Sequence, residues 1–190
     1  MSKHTKLSVN INKFATIRNA RGGNNPNLLQ VARDCENFGA EGITVHPRPD
    51  ERHIRRQDVY DLKKVIKTEF NIEGYPSPDF IKLIHDIKPE QVTLVPDPPE
   101  ALTSNAGWDT DKYGDFLKTV IKDLKNSTSR VSIFLEAKPS LIESAKATGA
   151  DRIELYTEPY AEQFKADKEA AIAPFLATAL RAAEFELGVN

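Results

Sequence analysis

Strand-like and helix-like segments alternate along this 190-residue chain six times over, and that succession narrows the fold more than any single residue does. A parallel strand needs a crossover to bring the chain back to the same end of the sheet. Strict alternation therefore implies a parallel sheet with helices packed outside it. The strands read as Leu7–Asn12, which alternates apolar and polar residues, then Gly42–His46, Phe70–Tyr75, Gln91–Val95, Arg130–Leu135 and Arg152–Tyr156, with a seventh beginning at Leu187. Between them, helical spacing runs over Asn27–Phe38, with Gly39 as its C-cap, then Gln57–Thr68, and a short helix that Ser77 and Pro78 open. Further helices are expected from about Thr110 to Asn126 and over Pro139–Thr148 and Lys168–Phe185. Asn19–Pro26 reads as a glycine and asparagine loop, Pro96–Pro99 as the close of the fourth strand, and Thr103–Trp108 as part of a long polar loop.

Two echoes point to an internal repeat: Gly39-Ala40-Glu41-Gly42-Ile43 returns as Gly149-Ala150-Asp151-Arg152-Ile153, and Leu7-Ser8-Val9-Asn10 returns as Leu187-Gly188-Val189-Asn190. Alternation alone does not separate a doubly wound sheet from a (β/α)8 barrel. Asn10, His46, Glu73, Thr93 and Glu154 lie within strands or near their carboxyl ends, as a barrel that collects reactive groups from many strands requires. A barrel of this kind takes about 250 residues, at least about 200, and here the seventh strand only begins, which would leave sheet edges open. The expectation is one incomplete TIM-barrel domain over residues 1–190, about six βα units plus the start of strand seven.

Hydrophobic content of 39% and charged content of 28% are ordinary for a globular chain. A formal charge of -2 gives no reason to expect nucleic acid or an anionic membrane as partner, so a bound anion must be held by local groups. The single cysteine, Cys35, excludes an internal disulfide and fits a reducing cytosol, as a small buried or half-buried helix residue. No apolar run approaches the ~20 residues of a membrane span, and Met1–Lys6 lacks an apolar signal core. A soluble cytoplasmic protein is expected.

The chemistry concentrates in Gly42–His53. A β-branched strand stops at His46, and Pro47 and Pro49 hold the chain around Arg48 extended and prevent an immediate helix. His46 suits proton transfer near neutral pH, the plainer alternative being a hydrogen-bonded histidine at a strand end. Arg48 and His53 suit a phosphate, or else form a solvated cluster with Asp50, Glu51, Arg52, Arg55 and Arg56. Glu73 follows Ile72 in an apolar strand, where burial raises a carboxyl pKa toward acid/base use; a structural salt bridge competes. Glu154 is similar, with Arg152 as a nearby ion-pair partner. Arg21 is an anion clamp or a surface charge, Trp108 and Tyr156 read as core or lid packing, and His4 and His85 as incidental. No glycine-rich nucleotide loop, cysteine cluster or trusted metal-ligand spacing is present, so neither metal nor nucleotide is expected.

Several stretches together resemble the pyridoxine 5'-phosphate synthase family: Val9-Asn10-Ile11-Asn12-Lys13, Thr16–Gly22, Gly42–Arg48, Asp50–Ile54, Asn71-Ile72-Glu73, Val92–Pro96 and Ile153–Thr157. The resemblance runs in order over essentially the whole chain. It implies a (β/α)8 barrel, commonly an octamer, with no metal or organic cofactor. It also implies an enzyme of vitamin B6 biosynthesis that condenses 1-deoxy-D-xylulose 5-phosphate with 3-amino-2-oxopropyl phosphate, releasing phosphate and water. By the same resemblance His46 is a proton acceptor and Glu73 a second acid/base group, while Glu154 stabilises charge in the transition state. Arg48, His53 and Thr103 would hold the deoxyxylulose phosphate, and Asn10 and Arg21 the aminoketone phosphate. Many members have Asp-His where this chain has Asn12-Lys13, so binding rather than proton exchange is expected there. The family's strand that begins like Leu187–Asn190 continues into an Ala-Gly-His segment carrying the proton donor, and a Gly-His phosphate site follows. Without these, the 190 residues by themselves are expected to show little or no activity. The competing readings are another sugar-phosphate barrel, an aldolase or epimerase with a Schiff-base lysine (Lys13 is the nearest), and an inactive relative that binds phosphorylated ligands.

Overall fold

A computed structural model describes residues 4–96 and 106–190; the expected turn at Asp97–Pro99 and the loop residues 103–105, Thr103 among them, lie outside the described residues. The strands are β1 (Ser8–Asn10), β2 (Gly42–Val45), β3 (Glu69–Gly74), β4 (Gln91–Leu94), β5 (Arg130–Leu135), β6 (Arg152–Leu155) and β7 (Gly188–Val189). The helices are α1 (Asn12–Arg21), α2 (Leu28–Asn37), α3 (Arg56–Lys63), α4 (Pro78–Ile87), α5 (Thr110–Leu124), α6 (Ile142–Ala147, entered through a 3-10 turn at Pro139–Leu141), α7 (Glu158–Gln163) and α8 (Lys168–Glu184). Parallel strands in chain order, alternating with helices, give the α/β TIM-barrel class of fold that the sequence leads one to expect. The residues gather into two units: one running to Val92 and including Ser127–Ser129, the other Thr93–Asn126 with Arg130–Asn190.

In the first unit β1 pairs with β2 and β2 with β3, Thr44 lying level with Asn10 on one side and Asn71 on the other. This register sorts the side chains by chemistry, because alternate residues of a strand face opposite ways. One face carries Ile43, Val45, Phe70 and Ile72, all fully buried, and with Val59, Leu62 and Ile84 from the helices they form the core. Each such side chain contributes about 1.5–3 kcal/mol on leaving water. The other face is polar: Ser8, Asn10, Thr44, Asn71 and Glu73, joined where Ser8 Oγ meets Thr44 Oγ1 at 2.8 Å and Asn71 Nδ2 donates to the same oxygen at 3.3 Å. The second unit repeats the division. Val131, Ile133, Leu135 and Ile153 are fully buried, while Phe134 is level with Glu154 on the opposite face.

Helix starts follow local chemistry. Asn27 accepts from Gln30 N, Ser77 from Phe80 N, Asp109 from Lys112 N, and Asp167 from Glu169 N and Ala170 N, each satisfying orphan donors of a first turn. The echoed Gly-Ala-acid turns are a real structural repeat. Gly39 and Gly149 leave their helices with φ of 103° and 85°, backbone that side chains rarely adopt. The acid that follows then caps a neighbouring strand: Glu41 accepts from Leu7 N at 3.4 Å, Asp151 from Val131 N at 2.9 Å. Glu90, one residue before β4, does the same for Phe70 N at 3.0 Å.

Three sequence expectations need correction. The supposed loop from Asn19 is helical through Arg21, and the turn begins only at Gly22. Helix α1 eluded a periodicity argument because its polarity is inverted: Ala15 and Arg18 are buried while Phe14 and Ile17 are exposed. Helix α3 stops at Lys63 rather than Thr68. Glu36 of α2 gathers Lys67 N, Thr68 N and Thr68 Oγ1 on one carboxylate oxygen at 2.7–2.8 Å, which holds that segment out of the helix. Helix α7, which Pro159 opens at its first turn, was not anticipated.

Candidate active site

Beyond Val45 the chain leaves β2 extended, and Pro47 and Pro49 delay the next helix to Arg56. The first residue of α1 holds this segment. Ile11 N donates to Thr44 O at 3.1 Å, and His46 N then donates to the Asn12 side-chain oxygen at 2.9 Å. Asn12 thus supplies with its side chain the acceptor that β1, already ended, no longer supplies with its backbone. Asn10 in turn accepts from Asn12 N at 3.0 Å. Continuing the Val45–Ile72 register by one residue brings His46 opposite Glu73, with Nδ1 and Oε2 4.0 Å apart and side chains 15% and 13% exposed.

Burial, and then the positive fields of His53 and Arg48, push the His46 pKa down from 6.5 to about 3. The ring is therefore neutral at neutral pH, with an unprotonated nitrogen to offer but little basicity of its own. A phosphate dianion beside Arg48 and His53 would offset the field of those two groups and raise His46 toward the working range of a general base. Arg48 is 7% exposed, its Nε 3.8 Å from Asp50. Hydrogen bonds from Arg52 hold the Asp50 carboxyl below its usual range. The His46 and His53 rings lie 6.0 Å apart. Ile54 N donates to His53 Nδ1 at 2.9 Å, so the neutral His53 ring carries its proton on Nε2. Burial lowers the His53 pKa, and Arg48 and Lys13 add to that effect. One place thus combines a neutral imidazole, a carboxylate, and cationic and N–H donor groups of the kind an anion needs.

Of the residues singled out in the sequence, Asn12, His46, Arg48, His53 and Glu73 come together, with Lys13 exposed in the first turn of α1 but near enough to act on His53 by its charge. Asn10 sits at the entry to α1, and Arg21 is exposed in its last turn. Thr103 lies outside the described residues. Glu154 belongs to the second unit, where burial raises its pKa against the effect of a hydrogen bond from Thr93. Arg152 reaches Asn190 Oδ1 and, at 2.7 Å, Val189 O. Trp108 is core, its indole N–H on Leu94 O at 2.9 Å, and Tyr156 packs edge-on to Phe134. Among the described residues no group of three or more His, Cys, Asp or Glu is placed to hold a metal ion, and no helix is long and apolar enough to cross a membrane. Sequence reasoning missed Thr44 and Asn71, whose positions facing away from the apolar core were the available signal. It also missed Arg18, Asn19 and Asp58, for which a buried arginine in an unrecognised helix gave none.

The family model for "Pyridoxal phosphate biosynthesis protein PdxJ" matches residues 7–190. A pyridoxine 5'-phosphate synthase of Cytophaga hutchinsonii is 61% identical over 186 residues, which is 98% of this chain and 78% of that protein. One of Bacteroides thetaiotaomicron is 59% identical over the same shares. Among solved structures, a flavocytochrome b2 variant with sulfite bound superposes with a TM-score of 0.65 at 12% identity, over 99% of this chain and 52% of that one, a likeness of fold alone.

Proposed function

The chain belongs to the PdxJ family of pyridoxal phosphate biosynthesis proteins, and from that membership we propose that it is a pyridoxine 5'-phosphate synthase. In this reading it is a transferase that condenses 1-deoxy-D-xylulose 5-phosphate with 3-amino-2-oxopropyl phosphate to give pyridoxine 5'-phosphate, phosphate and water. The observation that carries the reading to this chain's own residues is the buried, neutral His46 opposite Glu73, with Arg48 and His53 alongside.

The proposed roles follow from those properties. Arg48 and the Nε2–H of His53 bind the sugar phosphate, one by full charge and one by a directed donor. Its arrival raises the basicity of His46, which takes the proton released as the amine adds to the ketone and as the enol forms. Glu73 returns a proton to the departing hydroxyl. Glu154, whose carboxyl pKa burial pushes upward, serves in its protonated form as a donor to developing negative charge. Asn10, Arg21, Lys13 and Thr103 complete the binding of two phosphates. The exposed apolar side chains Phe14 and Ile17 on α1, and Ile172, Leu176 and Leu180 on α8, support assembly into a homo-oligomer, and the lone cysteine supports work in the cytoplasm.

The test is calorimetric titration with 1-deoxy-D-xylulose 5-phosphate, beside chromatographic detection of pyridoxine 5'-phosphate from both substrates, on the wild type, Arg48→Ala and His46→Asn. Saturable binding lost with Arg48, and product formation lost with His46, would support the reading. Neither binding nor product would overturn it, and binding without product would leave the phosphate site standing beside the little or no activity expected of these 190 residues by themselves.

A further inference from the structure

Helix α1 holds more than the His46 backbone. At its far end Arg18, 4% exposed, makes a two-pronged pair with Asp58, Nη1 to Oδ1 at 2.6 Å and Nη2 to Oδ2 at 2.9 Å. The same Nη2 donates to His53 O at 3.3 Å. Asn19 accepts from Arg18 Nε and Nη2 and donates through Nδ2 to His53 O at 2.9 Å and to Glu51 O at 3.1 Å. The carbonyl of the peptide linking His53 to Ile54 is therefore gripped by two donors from α1. The N–H of that same peptide is bonded to Nδ1 of the His53 ring. A peptide unit is planar, so fixing its carbonyl direction fixes its N–H direction. The ring, tied to that N–H, is fixed in turn.

We propose that Arg18 and Asn19 are positioning residues for the phosphate-binding histidine: through the His53–Ile54 peptide they lock the imidazole in one tautomer and aim its Nε2–H at the substrate. Asp58 sets the guanidinium, and by also accepting from Arg55 N at 2.7 Å it ties this arrangement to the start of α3. With Asn12 at its other end on His46, α1 then fixes the spacing of the two imidazoles. This inference rests on the phosphate-binding role given to His53 above.

The test uses Asn19→Ala and Asn19→Asp. Both remove the amide donor, and the second keeps an acceptor for Arg18; Thr16→Ala, exposed on the same helix with its hydroxyl on Asn12 O at 3.2 Å, is the control. Two measurements are made above neutral pH on the whole chain: the His53 tautomer by long-range proton–nitrogen correlation, and the dissociation constant for inorganic phosphate. Wild type and Thr16→Ala should show a single Nε2–H tautomer. Both Asn19 variants should show a mixture of tautomers and bind phosphate about tenfold more weakly, the scale of losing one well-placed directed donor. A merely structural role would lower the urea midpoint and leave tautomer and phosphate affinity as they were, and that result overturns the proposal. Arg18→Lys keeps a cation for Asp58 but not the fork, and should give a smaller loss of about threefold. If the synthase reading alone is wrong, the wild type binds 1-deoxy-D-xylulose 5-phosphate no better than inorganic phosphate while both of these measurements still depend on Asn19.

Discussion

Acid should expose the burial of His46 as a loss of stability that one substitution removes. The folded-state pKa of about 3 lies below the ordinary 6.5, so the unfolded chain takes up a proton at a pH where the folded one does not. Stability from this residue is thus unaffected above the unfolded pKa and falls as pH drops through the window from about 6.5 toward about 3. At ~1.36 kcal/mol per pH unit, a fall from about pH 7 to about pH 4.5 costs about 2.5 kcal/mol. With a urea m-value of about 2–3 kcal/mol/M, the midpoint should fall by about 1 M. Carboxylates titrate over the same range, and His53 is lowered too, so the quantity to measure is a difference. Urea melts at both pH values are compared for wild type and His46→Asn, and the variant should lose about 1 M less on acidification. Equal losses would refute the reasoning. So would a ring signal titrating near its ordinary value, because the Glu73 carboxylate 4.0 Å away, which favours the charged ring, would then outweigh burial.

Glu154→Gln should raise the urea midpoint at neutral pH while abolishing turnover: its carboxyl pKa is raised in the folded state, so the ionised group weakens the fold as pH rises past the unfolded value. Gly107→Ala should destabilise by about 3 kcal/mol in denaturant melts, because the new Cβ would stand 2.4 Å from Glu136 N and 2.6 Å from Leu135 C, backbone atoms that cannot swing aside. Asp151→Ala should cost about 1–3 kcal/mol by stranding the Val131 amide, with Asp151→Asn recovering much of it and Lys125→Ala alone costing under about 1 kcal/mol.

Much of this was legible from residue order alone. The alternation gave the strands to within a residue or two, since buried β-branched runs between glycine and proline signals leave little freedom. His46 and Glu73 were readable as a pair because each stands at the end of an apolar strand where a polar residue has no place in the core. What could not be read is whatever depends on one side chain standing in for backbone. Asn12 looked like a ligand for substrate; in the fold its oxygen extends the β1–β2 ladder to His46. Asn19 looked like loop polarity, yet with Arg18 it grips a carbonyl more than thirty residues away in sequence. No periodicity records a helix that buries its arginine and exposes its phenylalanine.

The two ends of the strands thus answer to different demands, and the acids show it. Glu41, Glu90 and Asp151 stand one residue before β2, β4 and β6, each capping the amide of a preceding strand and each with a cationic or histidine partner: His4 at 3.5 Å, Lys63 at 2.7 Å, Lys125 at 2.8 Å. At Glu90, against the burial that would raise it, hydrogen bonds from Lys63 and the Phe70 N–H lower the carboxyl pKa. Glu73 and Glu154 lie later in their strands on the polar face, and Glu154 is pushed the other way by burial. The residue type is the same. Where the strand places it decides whether the carboxyl holds the sheet or faces the proposed site, so exchanging Asp and Glu should be tolerated by stability at the strand starts and by neither binding nor turnover at Glu73.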